Sequence, residues 1–136
     1  MLYSRKKATS KGIYAILVVD SHRKIVSINK YFIDLWNLPK ELIVSRDDEL
    51  VLTYISAYFV EPQKVIQVIT DVYAERNSEI HDTIQLIDGR CFSRHSQPLW
   101  FEGEYTGRVW QFQDLTELML LNNACLLRQQ KLPKYF

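Results

Sequence analysis

Residues 103–116, with the sequence GEYTGRVWQFQDLT, place the end of a strand directly before the start of a helix. Polar and apolar side chains alternate from Tyr105 to Gln113, a pattern typical of a strand with one buried face. Asp114 is a helix-capping residue type, and Glu117 follows three positions later, as in a capping box. The stretch therefore predicts a strand that passes at once into an apolar helix, so that a change in a sheet can reach that helix.

The segments that precede this junction predict an α+β fold. Two β-branched runs at 12–20 and 24–29 predict a hairpin, because turn-forming residues separate them. Apolar residues at helical spacing predict helices at 31–38, 48–59 and 62–75, and alternating segments predict strands at 82–87, 91–99 and 105–113. Two strands, several helices, three strands and a last helix form an α+β arrangement with an antiparallel sheet.

The turn at Asp88 and Gly89 fixes the register of the predicted hairpin around it. A three-residue loop sets Ile84 and Leu86 on the same face as Phe92, whereas a two-residue loop would set Leu86 with polar residues. The apolar match favours the three-residue loop. This register leaves four side chains facing solvent, namely Thr83, Gln85, Ser93 and His95.

The same register places Asp82, Arg94 and Ser96 on the inner face beside apolar residues. Buried charges generally pair, so one interpretation is a structural salt bridge between Asp82 and Arg94. The alternative hypothesis is that Arg94 binds a carboxylate-bearing metabolite, because a guanidinium matches a carboxylate with two parallel hydrogen bonds.

Composition predicts one domain and argues against several functional classes. The chain has 136 residues, is 47% hydrophobic and carries a formal net charge of +1, without the concentrated basic face of a nucleic-acid-binding protein. Two cysteines, Cys91 and Cys125, are too few for a secreted disulfide framework, which predicts a reducing, cytoplasmic location. The longest apolar run, 13–19, is far shorter than a bilayer span, so we expect no direct membrane contact.

In their order and spacing, several motifs between residues 12 and 118 resemble a PAS domain. They are Val18 to Asp20, Lys24 to Asn29, Phe32, Leu35 to Pro39, Asp88 to Phe92, Arg94 to Leu99, Gly107 to Trp110, and Asp114 to Thr116. The likeness is closest to PAS segments of bacterial histidine kinases and diguanylate cyclases. It implies a five-stranded antiparallel sheet with helices on one face, a small pocket between them, and a C-terminal helix.

The resemblance also implies sensing rather than catalysis, with any enzymatic output elsewhere in a parent protein. Asp114 and Thr116 then correspond to the Asp-x-Thr that ties the last strand to the outgoing helix. We expect a leader at 1–11, the PAS-like domain at 12–118, and a connector helix and tail at 119–136, with the helix ending at Pro133. Apolar residues along that helix predict a homodimer through the terminal helices, and they include Leu118, Leu120, Leu121, Ala124 and Leu127.

The candidate pocket residues on the expected inner surface are Phe32, Trp36, Asp82, Ile84, Leu86, Phe92, Arg94, Trp110 and Phe112. Haem-binding members of the resembled family carry a histidine on the long helix, and the segment 62–75 has none. Covalent flavin photoreceptors need a cysteine that 50–59 lacks. A noncovalent small molecule, flavin included, stays open, because Trp36, Trp110 and Phe112 can contact a ring or can simply fill the core.

Catalytic and metal-binding motifs are absent from the sequence. No nucleophile elbow, phosphate-binding loop or HExxH motif occurs. His81, His95 and Cys91 share the outer face, but we expect them to lie far apart along the strands, so no metal site is predicted.

Two hypotheses of function follow. In the first, a sensory module binds a small ligand and shifts the outgoing helix between two arrangements. In the second, Phe32, Trp36, Phe92 and Trp110 fill the pocket, and the domain serves dimerisation or partner docking without a ligand.

Overall fold

Five antiparallel strands make one sheet in the computed structural model, which describes residues 14–129. The strands are β1 (Ala15–Asp20), β2 (Ile25–Ile28), β3 (Ile80–Gln85), β4 (Cys91–Phe101) and β5 (Glu104–Asp114). Their order across the sheet is β2-β1-β5-β4-β3, so the first and last strands of the domain are neighbours. The predicted leader at 1–11 and the predicted helix end at Pro133 lie outside the described residues.

The described residues form five helices. They are α1 (Lys30–Trp36), α2 (Lys40–Ser45), α3 (Asp48–Ser56), α4 (Pro62–Ala74) and α5 (Thr116–Gln129). Side-chain caps explain two of the starts. Asn29 accepts a hydrogen bond from the backbone N–H of Phe32 at 2.9 Å, and Asp47 accepts one from Glu49 at 2.9 Å.

Two helical predictions were wrong in part. Helix α2 occupies a segment where no helix was predicted. It has only six residues, of which Leu42 and Ile43 are half-buried against the core, so its apolar pattern is too short to indicate a helix. The helix predicted at 48–59 ends at Ser56, since Phe59 leaves the helix to form a β-bridge with Leu86. This bridge attaches the end of the α3 segment to the β3–β4 hairpin.

The register of the β3–β4 hairpin agrees with the three-residue loop. Asp82 pairs with Arg94 and Ile84 with Phe92, and the N–H of Leu86 donates to the carbonyl of Arg90 at 2.9 Å. Gly89 in the loop has φ +94°, a conformation that favours glycine. Arg94 and Ser96 are buried as expected, but the side chain of Asp82 is 40% exposed.

The core lies between the helices and the inner face of the sheet, with Trp36 at its centre. Trp36 is fully buried, and its ring lies 5.2 Å from Phe92 and 5.6 Å from Phe112, measured between centroids. Phe32 and Phe59 complete the aromatic cluster at 6.3 Å and 6.0 Å from Trp36. Edge-to-face contacts of this kind stabilise a core beyond the burial of area alone.

Cys91 points to the outer face of β4 yet is buried, unlike the exposed or half-buried outer residues that follow it. The start of α5 is bonded to this residue, because the N–H of Leu115 donates to the Cys91 carbonyl at 2.8 Å. Burial and the nearby charge of Asp114 raise the pKa of the Cys91 thiol.

Candidate ligand site and signal junction

A cavity of about 30 Å³ lies under the sheet, in the place where the resemblance implied a pocket. Phe32, Trp110 and Phe112 line it, together with side chains from α3 and α4. Ligand pockets usually measure about 300–1,000 Å³, so this cavity is about ten times smaller than the lower end of that range. A flavin-sized ligand would fit there only if the surrounding side chains moved.

One wall of the inner cavity is a buried polar network around Asp48. The carboxylate of Asp48 accepts hydrogen bonds from Arg23 Nε at 2.9 Å and from the Tyr73 hydroxyl at 3.1 Å. Trp110 Nε1 donates to the Tyr73 oxygen at 2.9 Å, and the Arg23 guanidinium lies 4.2 Å from the Tyr73 ring centroid. The Asp48 carboxylate, the Tyr73 hydroxyl and the Trp110 indole N–H thus each have a partner, as burial requires.

Burial governs the ionisation of this network. Burial raises the pKa of Asp48, although the positive charge of Arg23 acts in the opposite direction. Burial also raises the pKa of Tyr73, and the negative charge of Asp48 adds to that shift. None of Asp48, Arg23 and Tyr73 was among the site residues predicted from the sequence. The only usable signal was that a buried Trp or Tyr needs a hydrogen-bond partner, which does not identify that partner.

A larger groove, of about 550 Å³, runs between α4 and the edge strand β3. Its floor includes Val65 and Ile84, and its rim carries Lys64 and Gln67 from the helix. Predicted pocket residues Asp82, Ile84 and Arg94 all line this groove. Its volume is in the range of small-molecule sites.

Of the charged side chains that line the groove, Arg94 is the buried one. Its Nε and Nη2 donate to the two carboxylate oxygens of Asp82 at 3.0 Å and 2.7 Å, which confirms the expected pairing. The side chain of Arg94 is only 2% exposed, and its Nη1 is buried without a hydrogen-bond partner among the described residues. An unpartnered buried donor is costly, so an added acceptor would stabilise it.

The predicted pocket residues therefore separate into three places. Phe32, Trp110 and Phe112 line the small inner cavity, and Asp82, Ile84 and Arg94 line the groove. Trp36, Leu86 and Phe92 line neither and are buried in the core.

The predicted signal junction connects β4, β5 and α5 through the side chain of Thr116. The backbone N–H of Thr116 donates to Asp114 Oδ1 at 2.9 Å, and the Thr116 hydroxyl donates to the same oxygen. The Thr116 oxygen in turn accepts from the Cys91 N–H at 3.0 Å. Glu117 is exposed, and the second side-chain contact at this helix start is made by the Thr116 hydroxyl rather than by Glu117 as the capping box predicted.

Helix α5 leaves this junction with apolar side chains in solvent. Leu118, Leu120 and Leu121 are 53%, 62% and 65% exposed. Within residues 14–129, no helix combines the length and apolar character needed to cross a bilayer.

Comparisons with known proteins show the fold. No protein-family model and no curated protein matches the sequence. Among solved structures, the sensor region of a sensor histidine kinase superposes with a TM-score of 0.61 at 14% identity, over 77% of this chain and 40% of that one. The PAS domain of the histidine kinase ThkA gives 0.54 at 16% identity, over 74% and 98% of the two chains.

A third structure covers almost the whole chain. The sensory box histidine kinase/response regulator from Burkholderia thailandensis E264 gives a TM-score of 0.56 at 12% identity, over 96% of this chain and 98% of that one. The chain thus has the PAS fold. It spans 40% of the sensor region of the sensor histidine kinase named above.

Proposed function

We propose that the chain is a sensory module of the histidine-kinase type, which binds a small ligand in the α4–β3 groove and transmits binding to α5. The observation that carries the proposal is that one strand, β4, contributes residues both to the groove and to the junction with α5. Cys91 at its start is bonded to the junction, and Arg94, three residues along, lies at the base of the groove. In this proposal the module itself senses rather than catalyses, and any enzymatic output would lie elsewhere in a parent protein.

The groove favours a ligand with a carboxylate and a small apolar body. Arg94 has a free Nη1, and its partner Asp82 is 40% exposed, so a ligand carboxylate can share or replace that ion pair. Val65 and Ile84 supply an apolar surface beside it. The nearby cation Lys64 is 78% exposed, so its charge is screened by solvent, whereas Arg94 is buried. We therefore take Arg94 as the main anchor.

Transmission requires that the ligand favour one arrangement of the junction over another. Arg94 pairs across the sheet with Phe112, and Phe92 pairs with Asp114. A small shift of β4 relative to β5 would therefore alter the bond from Cys91 to Thr116 and the direction in which α5 leaves the sheet. Such packed elements respond by switching between discrete arrangements.

Replacing Arg94 with alanine should abolish binding of carboxylates in the groove. We expect this because the change removes the only buried cation there. Native mass spectrometry of the purified chain would identify a retained molecule, and isothermal titration calorimetry with a panel of small mono- and dicarboxylates would measure affinity. Arg90→Ala is the matched control, since Arg90 also pairs with an aspartate, Asp88 at 3.0 Å, but lies outside the groove. Equal affinity in wild type and Arg94→Ala would defeat the proposed site.

Replacing Thr116 with valine should loosen the start of α5 and destabilise the domain by about 1–3 kcal/mol. Valine keeps the shape but leaves the Cys91 N–H and the Asp114 carboxylate each without one partner. Hydrogen exchange measured by mass spectrometry should be faster in the first turns of α5. Thr106→Val is the control, because the Thr106 hydroxyl donates to the Leu99 carbonyl at an exposed position. Unchanged protection of α5 would count against a role for Thr116 in transmission.

A second candidate is a ligand-free module for dimerisation or partner docking. The small inner cavity and the exposed leucines of α5 favour it. In both candidates we propose a homodimer through the terminal helices, a cytoplasmic location, and no nucleic-acid partner. A sensory module would retain a ligand and a ligand-free module would not. Native mass spectrometry, with an absorbance spectrum for flavin or haem, would distinguish the two.

A further inference from the structure

Two histidines face each other on neighbouring strands of the outer sheet surface. The register that pairs Ile84 with Phe92 also pairs His81 on β3 with His95 on β4. His81, His95 and Cys91 were expected to lie far apart along the strands. That prediction was wrong for the two histidines, which are paired. Cys91 lies four residues before His95 on β4. We propose that His81 and His95 bind a divalent transition-metal ion, such as Zn²⁺, through their two imidazoles.

The spacing of the two rings fits a chelate. Their centroids lie 5.4 Å apart with an interplanar angle of 53°. With Zn–N bonds of about 2.0–2.1 Å and a tetrahedral angle at the metal, the centroids of two zinc-bound imidazoles lie roughly 5 Å apart. A metal ion can therefore enter between the rings with small rotations of the side chains and no movement of the strands.

A neighbouring glutamine orients one of the ligands. Gln111 pairs with His95 across β4 and β5, and its Oε1 lies 3.3 Å from His95 Nδ1. When Nδ1 donates its proton to this oxygen, the tautomer leaves the Nε2 lone pair free for a metal. Metal-binding histidines generally have such a partner on the second nitrogen, which fixes the ring and raises its basicity.

The remaining coordination positions are open to water. His81 is exposed and His95 half-buried, so an ion can reach the pair from solvent. The part of the chain that the structure describes contains no group of three or more His, Cys, Asp or Glu side chains placed to hold a metal. The site is thus a two-ligand site for borderline metals that prefer imidazole, rather than a closed structural zinc centre. This inference does not depend on the α4–β3 groove or on the proposed function.

Titration of the metal-free full chain with zinc chloride, followed by calorimetry, tests the site. We expect one saturable site in the wild type, and a loss of affinity of about tenfold or more in His81→Ala and in His95→Ala. His22→Ala is the matched control, because His22 is the only other histidine and lies in the β1–β2 turn. Its affinity for zinc should equal that of the wild type.

Thermal unfolding supplies a second measurement that separates metal binding from misfolding. Zinc should raise the unfolding midpoint of the wild type and of His22→Ala, but not that of the His81→Ala/His95→Ala double variant, since a ligand that binds only the folded state stabilises it. The double variant should remain folded without metal, because both replaced side chains lie on the outer face of the sheet. The proposal would be overturned by a wild type with no saturable uptake of zinc, or by an equal loss of affinity in His22→Ala.

Discussion

Replacing Trp36 with alanine should lower the free energy of unfolding by about 3–5 kcal/mol, the usual cost of truncating a large buried aromatic side chain. Trp36 is fully buried and contacts the rings of Phe92 and Phe112 at centroid distances of 5.2 Å and 5.6 Å. Its loss would leave a cavity that the surrounding sheet and helices cannot close, because both are fixed by their own hydrogen bonds. Urea denaturation followed by circular dichroism would measure the change.

Two further variants separate the causes of this loss. Trp100→Ala should cost about 1 kcal/mol or less, since Trp100 is 47% exposed at the end of β4. Trp36→Phe should cost less than alanine, because the phenyl ring fills part of the space and the Trp36 Nε1 has no hydrogen-bond partner among the described residues. If Trp36→Ala were no more destabilising than Trp100→Ala, Trp36 would not be a core residue, and a role in holding a ligand would regain weight.

This prediction bears on where a ligand can bind. Trp36 and Phe92 were candidate pocket residues, and Trp36 was also a candidate for contact with a ligand ring. The two rings instead pack on each other. The aromatic cluster leaves an inner cavity of about 30 Å³. The proposed ligand site therefore moves from the centre of the domain to the α4–β3 groove, where Arg94 offers an unused donor.

The sheet was predictable because its signals are local. Alternation of apolar and polar residues in β5, and the match of Ile84 with Phe92 across a short loop, define which face is buried. The pairing of Asp82 with Arg94 follows from the same register, since residues opposite each other on two strands have neighbouring side chains. The expectation that all five strands form one sheet came from the resemblance to PAS domains rather than from these patterns.

The polar wall of the inner cavity was not predictable in this way. Arg23 and Asp48 are separated by the whole of α1 and α2, and Tyr73 meets Trp110 across the domain. Nothing in the sequence near Asp48 distinguishes it from Asp47, which is the helix cap next to it. The distinction arises only when α3 packs on the sheet and buries one of the two carboxylates.

Replacing Gly107 with alanine should destabilise the domain by about 3 kcal/mol or more, enough to prevent folding if the wild type is only marginally stable. A Cβ at this position would lie 2.0 Å from the carbonyl oxygen of Val19 and 3.0 Å from the Cα of Asp20. These are backbone atoms of β1, and they cannot move aside because Asp20 pairs with Gly107 in the ladder that joins the first and last strands. The φ of Gly107 is +152°, which adds strain for any residue with a Cβ.

Gly89→Ala is the control that isolates the steric contact. Gly89 also has a positive φ, +94°, but a Cβ there would have no atom within 4 Å. This variant should therefore show only the conformational cost, about 1–2 kcal/mol. Chemical denaturation of both variants beside the wild type would give the two differences. Because β1 and β5 are the strands that bring the two ends of the domain together, similar losses in Gly107→Ala and Gly89→Ala would mean that β1 does not approach β5 as closely as the structure places it.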